Sequence, residues 1–111
     1  MEMNKETQNQ IQELQMFEQN LQSIMMQKQA FQMEFVEVET ALEELSKTSQ
    51  EVFKIVGNIL IKSDKDSLMK ELKHKKELLD LRLKSLNSQE KEISEQSEKL
   101  REKVLSKIQG K

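Results

Sequence analysis

Residues 51–62 read EVFKIVGNILIK and separate two long stretches whose apolar residues repeat with a helical period. β-branched and bulky apolar residues, which favour strands, surround a Gly-Asn pair that suits a two-residue type II′ turn. The residues of this predicted β-hairpin are Val52, Phe53, Ile55, Val56, Gly57, Asn58, Ile59, Leu60 and Ile61. The alternative is an uninterrupted helix, because one glycine costs a helix only about 1 kcal/mol.

A two-residue turn fixes which residues of the two strands lie opposite each other. The expected opposite pairs are Val56 with Ile59 and Lys54 with Ile61 on one face, and Ile55 with Leu60 and Phe53 with Lys62 on the other. Both faces are then largely apolar, and a lone hairpin with two open edges is marginal in water and prone to aggregation. The consistent solution is an oligomer in which the hairpins of several chains pair into a shared sheet or barrel.

The stretches on either side of the hairpin carry apolar residues at alternating steps of three and four, the pattern of a coiled-coil seam. The seam positions before the hairpin are Leu14, Phe17, Leu21, Ile24, Lys28, Phe31, Phe35, Val38, Leu42 and Leu45, and those after it are Met69, Leu72, Lys76, Leu79, Leu83, Leu86, Glu90, Ile93, Ser97, Leu100, Val104 and Lys107. The predicted fold is therefore mainly α. In one domain, two long helices at residues 8–48 and 65–108 form an antiparallel coiled coil, joined by the single β-hairpin at residues 51–62.

Two local features qualify this prediction. Ser63 or Asp64 is expected to cap the first free N–H groups of the second helix. Lys28 is a charged residue on the seam, and it either sets the register of the helix pair or extends past the seam to keep its ammonium group in water.

The composition is typical of long helices, with 34% charged residues, four aromatic residues that are all Phe, and no proline. No cysteine is present, and the single His74 has no second His or Cys with which to form a metal site. The lysine-rich residues 70–76 have no aromatic neighbour for stacking on bases, and no apolar run approaches the roughly 18 residues of a membrane span. We therefore expect no enzyme activity, cofactor, metal, nucleic acid or membrane.

The location is expected to be cytoplasmic. Residues 1–10 are polar and contain no signal-peptide core. A chain without cysteine has no disulfide framework, which fits a reducing compartment.

Several stretches together carry a family resemblance: residues 27–29 (QKQ), 41–45 (ALEEL), 52–62 (VFKIVGNILIK), 76–79 (KELL) and 88–90 (SQE). They resemble the beta-class prefoldin subunits, in particular those of the archaeal type. A single hairpin between the helices resembles the beta class, since alpha-class subunits carry two. Phe53 departs from the family pattern, in which Tyr is frequent, but it keeps a flat apolar ring at that position.

The resemblance implies a hexamer of two alpha-class and four beta-class subunits, in which the hairpins form a double barrel. It also implies an ATP-independent chaperone whose coiled-coil ends bind unfolded client proteins and pass them to a group II chaperonin. The alternative function is a structural coiled-coil scaffold or tether without the ability to hold unfolded proteins.

Client binding requires apolar surface that stays exposed and adapts to varied partners. The candidate client-binding residues lie near the free ends of the two helices. They are Ile11, Leu14, Met16, Phe17, Leu21 and Met25 in the first helix, and Ile93, Leu100, Val104, Leu105 and Ile108 in the second. Ile11, Met16, Met25, Leu105 and Ile108 fall off the strict seam and are expected to face water or a client. The alternative is that all of these residues only widen the seam.

Overall fold

The computed structural model describes residues 4–109, which form two long helices and one two-stranded antiparallel hairpin. The elements in chain order are α1 (Lys5–Lys47), β1 (Val52–Val56), β2 (Ile59–Ser63) and α2 (Lys65–Ile108). The mainly α class and the hairpin between the helices are confirmed. The alternative in which the first helix continues through residues 51–62 is wrong, because the Gly-Asn pair closes a turn there.

Polar caps determine where the helices begin. Asn4 accepts a hydrogen bond from the Thr7 backbone N–H at 2.7 Å, so α1 begins at Lys5, ahead of the expected start at residue 8. Asp64 accepts one from the Ser67 N–H at 3.0 Å, and α2 begins at Lys65 as expected. Of the two predicted capping residues, the structure therefore uses Asp64.

The hairpin has the predicted register. The opposite residues are Val52 and Ser63, Phe53 and Lys62, Lys54 and Ile61, Ile55 and Leu60, and Val56 and Ile59. Gly57 has a φ of +62°, and Asn58 does not have a positive φ. These signs match a type II′ turn, which requires the left-handed region only at its first central residue. Glycine occupies that position because a side chain there would strain the backbone.

The chain forms two compact units, and α1 and α2 each contribute to both. We call Met1–Gln29 with Lys84–Lys111 the terminal unit, and Ala30–Leu83 the hairpin unit. The buried residues of the terminal unit are Thr7, Ile24, Leu86, Ser97 and Val104, and those of the hairpin unit are Val38, Leu45 and Leu79. All but Thr7 occupy predicted seam positions, and Thr7 lies one heptad before Leu14. The seam is therefore where the helices bury their side chains.

Polar contacts hold the hairpin and its connection to α1 in place within the hairpin unit. Lys54 Nζ on β1 lies 2.7 Å from a carboxylate oxygen of Glu71 on α2. Lys65 Nζ donates a hydrogen bond to the Thr48 carbonyl oxygen at 2.8 Å, across the connection that carries the hairpin. The hairpin therefore has a defined orientation relative to the helix that follows it.

Neither α1 nor α2, as described over residues 4–109, has an apolar stretch long enough to cross a membrane.

Candidate functional site

The hairpin exposes apolar side chains on both of its faces. Ile55 is 74% exposed and Leu60 is 64% exposed. Four other apolar side chains of the hairpin are also exposed, to a smaller extent: Phe53, Val56, Ile59 and Ile61. Within residues 4–109 the sheet has two strands only, so β1 and β2 each present one edge without a strand partner. Exposed apolar faces next to open strand edges favour pairing with strands of other chains.

The ion pair between Lys54 and Glu71 distinguishes the two faces. Alternation along β1 places Lys54 on the opposite face from Phe53 and Ile55. Because Lys54 contacts Glu71 of α2, the face that carries Lys54 lies towards that helix, and Lys54 is half-buried. The face with Phe53, Ile55 and Leu60 lies away from that helix, and apolar side chains on both faces stay exposed.

The predicted client-binding residues all lie in the terminal unit but differ in exposure. Those that face solvent are Met16, Met25, Leu105 and Ile108, those that are half-buried are Ile11, Leu14, Phe17, Leu21, Ile93 and Leu100, and Val104 is buried. Ile11, which was expected to face water or a client, is half-buried because it lies one helical turn from both Thr7 and Leu14 and so flanks the seam. Val104 reaches a client only if the helices separate.

One strongly exposed residue of the terminal unit is missing from the predicted set. Met26 is 71% exposed and follows Met25 directly on α1. The sequence already indicated that Met26 is exposed, because it does not occupy a seam position and lies between the seam residues Ile24 and Lys28. Adding it gives five exposed large apolar residues among residues 4–29 and 84–109, which we call the apolar surface: Met16, Met25, Met26, Leu105 and Ile108.

An open groove lies beside this surface within the terminal unit. Its apolar part comes from Leu21 and Met25 of α1, and its polar part comes from α2, including Glu95 and Ser94. The apolar wall of such a groove can contact an apolar side chain of a bound segment. The polar wall and the open side leave the polar backbone of that segment in contact with hydrogen-bonding groups or water.

Lys28 forms an ion pair across the helix pair of the terminal unit. Its ammonium nitrogen lies 3.3 and 3.4 Å from the two carboxylate oxygens of Glu90, another seam position. The Lys28 side chain is 21% exposed and that of Glu90 is 35% exposed. The charge of Lys28 is therefore paired with a defined residue of the other helix. This favours the interpretation that Lys28 sets the register of the helix pair over the alternative that it only extends past the seam into water.

We expect the double variant Lys28→Leu with Glu90→Leu to unfold at a higher temperature than the natural chain. A partly desolvated ion pair contributes little net stability, whereas two leucines at these positions extend the apolar seam. The single variant Lys28→Leu leaves the Glu90 carboxylate unpaired beside apolar neighbours and is expected to unfold at a lower temperature than the double variant. Thermal unfolding followed by circular dichroism measures both.

The surface pair Glu43 and Lys47 provides the control. Its nitrogen–oxygen distance is 3.2 Å, similar to that of the seam pair, but both side chains are 66% exposed. Replacing both with leucine is expected to change the unfolding temperature little. A double seam variant that is less stable than the natural chain would show that the ion pair itself contributes more than apolar packing.

In the hairpin unit, cations cover two seam phenylalanines. Lys76 Nζ lies 5.5 Å from the centre of the Phe35 ring, and the Arg82 guanidinium carbon lies 5.6 Å from that of Phe31. Each arrangement is within the range of a cation–π contact. These contacts shield aromatic surface of the seam from solvent, so the exposed apolar area of this unit is concentrated elsewhere, above all on the hairpin.

These features define a coiled-coil subunit with an exposed strand-forming hairpin in one unit and an exposed apolar surface in the other. A family model described as prefoldin subunit matches residues 8–111. Prefoldin subunit beta of Pyrobaculum calidifontis is 43% identical over 95 residues, which cover 81% of this chain and 76% of the relative. The chain therefore belongs to the prefoldin beta-subunit family, a family of chaperone subunits.

Two further comparisons agree with this assignment. Prefoldin subunit beta of Archaeoglobus fulgidus is 37% identical over 105 residues, which cover 93% of this chain and 90% of the relative. The crystal structure of the prefoldin beta subunit from Thermococcus strain KS-1 superposes with a TM-score of 0.85 at 34% identity, covering 95% of this chain and 94% of that one. The resemblance drawn from the hairpin and helix motifs is confirmed.

Proposed function

We propose that this chain is a subunit of an ATP-independent chaperone that binds unfolded proteins and prevents their aggregation. The observation that carries the proposal is the apolar surface of the terminal unit, where five large apolar side chains are exposed although the seam beside them is formed. Unfolded chains expose apolar side chains of many shapes, and burying these against Met16, Met25, Met26, Leu105 and Ile108 is favourable.

The chemistry of this surface suits varied clients. Methionine is unbranched and polarizable, so it adapts to irregular apolar partners. Each contact is weak on its own, and several subunits held in one complex would add their contacts through avidity. Such binding requires no nucleotide, because it depends on exposed surface and on the number of subunits in the complex.

The proposed assembly uses the other unit. The hairpins pair with those of neighbouring subunits into an intersubunit β-barrel, within a hexamer of two alpha-class and four beta-class chains. Exposed apolar faces and two open strand edges support this proposal. The complex would act in the cytoplasm and deliver its clients to a group II chaperonin, as the family resemblance implies.

Two measurements on the complex, recovered from its own cells under gentle conditions, test the proposal. Native mass spectrometry is expected to give six chains, four of them this 13.1 kDa subunit. Light scattering is expected to show that the complex suppresses aggregation of a denatured protein at stoichiometric ratio without ATP. A homodimer, or a stable pair with one folded protein, together with unsuppressed aggregation, would instead indicate a structural tether.

A further inference from the structure

The methionines of α1 have an unusual distribution in the terminal unit. Every exposed large apolar side chain that α1 contributes to this unit is a methionine: Met16 is 62% exposed, Met25 is 55% exposed and Met26 is 71% exposed. The exposed apolar residues of α2 in this unit are Leu105 and Ile108, which contain no sulfur. The exposed apolar character of α1 in this unit therefore depends on thioethers alone.

The residues around these methionines are polar but mostly uncharged. The glutamines on this part of α1 are Gln8, Gln10, Gln12, Gln15, Gln19, Gln22, Gln27 and Gln29. If the thioethers became polar, the outer face of α1 would present amides and sulfoxides, and little apolar surface would remain on it. The chain has no cysteine, so methionine sulfur is its only sulfur that an oxidant can attack.

The seam of the terminal unit is chemically different from its surface. Its apolar positions are Leu14, Phe17, Leu21, Ile24, Leu86, Ile93, Leu100 and Val104, none of which carries a thioether. Mild peroxide treatment converts methionine to its sulfoxide but leaves aliphatic seam residues unchanged. The surface of this unit can therefore be oxidised without altering the residues that hold its helices together.

We propose that Met16, Met25 and Met26 form an oxidation site through which peroxide weakens client capture, an inference that rests on the proposed chaperone function. In each event the sulfur lone pair attacks one oxygen of hydrogen peroxide, the O–O bond breaks, and the products are methionine sulfoxide and water. The sulfur is oxidised and the peroxide is reduced. Each sulfoxide replaces an adaptable apolar contact with a polar group that must lose water when a client binds.

The test compares client capture by the assembled complex before and after hydrogen peroxide, which catalase removes before the denatured client is added. Mass spectrometry of peptides counts the oxygen atoms on each methionine. With all three sites oxidised, we expect the apparent Kd for client to rise at least about fivefold, because apolar contact area is lost. Helicity and the number of chains in the complex are expected to stay unchanged.

Three variants assign the effect. The triple variant Met16→Leu, Met25→Leu and Met26→Leu keeps apolar surface without sulfur and is expected to capture client equally well before and after peroxide. The corresponding triple change to glutamine mimics the polar sulfoxide and is expected to capture weakly without any oxidant. Met33→Leu is the matched control, because Met33 is 67% exposed on α1 but belongs to the hairpin unit. That variant is expected to remain fully sensitive to peroxide.

The outcomes separate this inference from the function on which it rests. A complex that captures no client before oxidation would refute the proposed function. A complex that captures client equally well with all three methionines oxidised would refute the oxidation site and leave the proposed function standing. Equal peroxide sensitivity in the triple leucine variant would also refute the site, since the effect would then come from other residues of this chain or from another chain.

Discussion

Changing Ile55 and Leu60 together to aspartate is expected to separate the subunits while leaving most of the helicity intact. The two side chains lie opposite each other on the hairpin, at 74% and 64% exposure. Pairing with neighbouring hairpins would remove both from water, and burying an unpaired carboxylate costs several kcal/mol. The seams of both units lie outside the hairpin, so the helix pairs do not lose a contact.

Native mass spectrometry measures the loss of the oligomer, and circular dichroism measures the retained helicity. The matched control is Met33→Asp with Leu81→Asp, which adds the same charge at exposed apolar positions of the hairpin unit that lie on helices. That control is expected to assemble normally. A complex of unchanged mass in the Ile55 and Leu60 variant would exclude the hairpin as the assembly element.

The hairpin could be predicted residue by residue because its determinants are local. A two-residue turn at Gly57-Asn58 leaves one register, and the structure shows that register together with the sign of φ that a type II′ turn requires. The seams could be predicted for a similar reason, since a heptad pattern states which residues of one helix face its partner. Each of these two patterns can be recognised within a window of about ten consecutive residues.

Most features that the sequence did not predict depend on contacts between residues far apart in the sequence, or on polar residues at the ends of helices. Lys28 and Glu90 each break a seam pattern, but only the alignment of the two helices shows that they pair. The early start of α1 follows from a hydrogen bond to Asn4 in a stretch without an apolar period. Ile11 is more covered than expected because a strict seam of two positions per heptad does not describe how far the neighbouring residues are covered. Met26 is different, because its position off the seam was visible in the sequence but it was not included among the candidates.

Changing all five residues of the apolar surface to glutamine is expected to abolish most aggregation suppression without affecting assembly. Glutamine is a good helix former, so helicity is expected to persist. Each substitution removes apolar area that a client would cover, and the losses multiply because several subunits bind one client. We expect the concentration of complex needed for half-maximal suppression to rise at least about tenfold, since more than about 1.4 kcal/mol of binding is lost.

The hairpin unit offers a control of the same chemistry. Its exposed apolar helix residues are Met33, Val36, Leu78 and Leu81. Changing these four to glutamine removes a comparable amount of exposed apolar surface from the same two helices, yet suppression is expected to stay near that of the natural complex. If the control loses suppression and the five-residue variant keeps it, clients bind the hairpin unit instead, and the assignment of the apolar surface is wrong. If both variants lose suppression equally, capture depends on total exposed apolar area and neither unit is specialised for it.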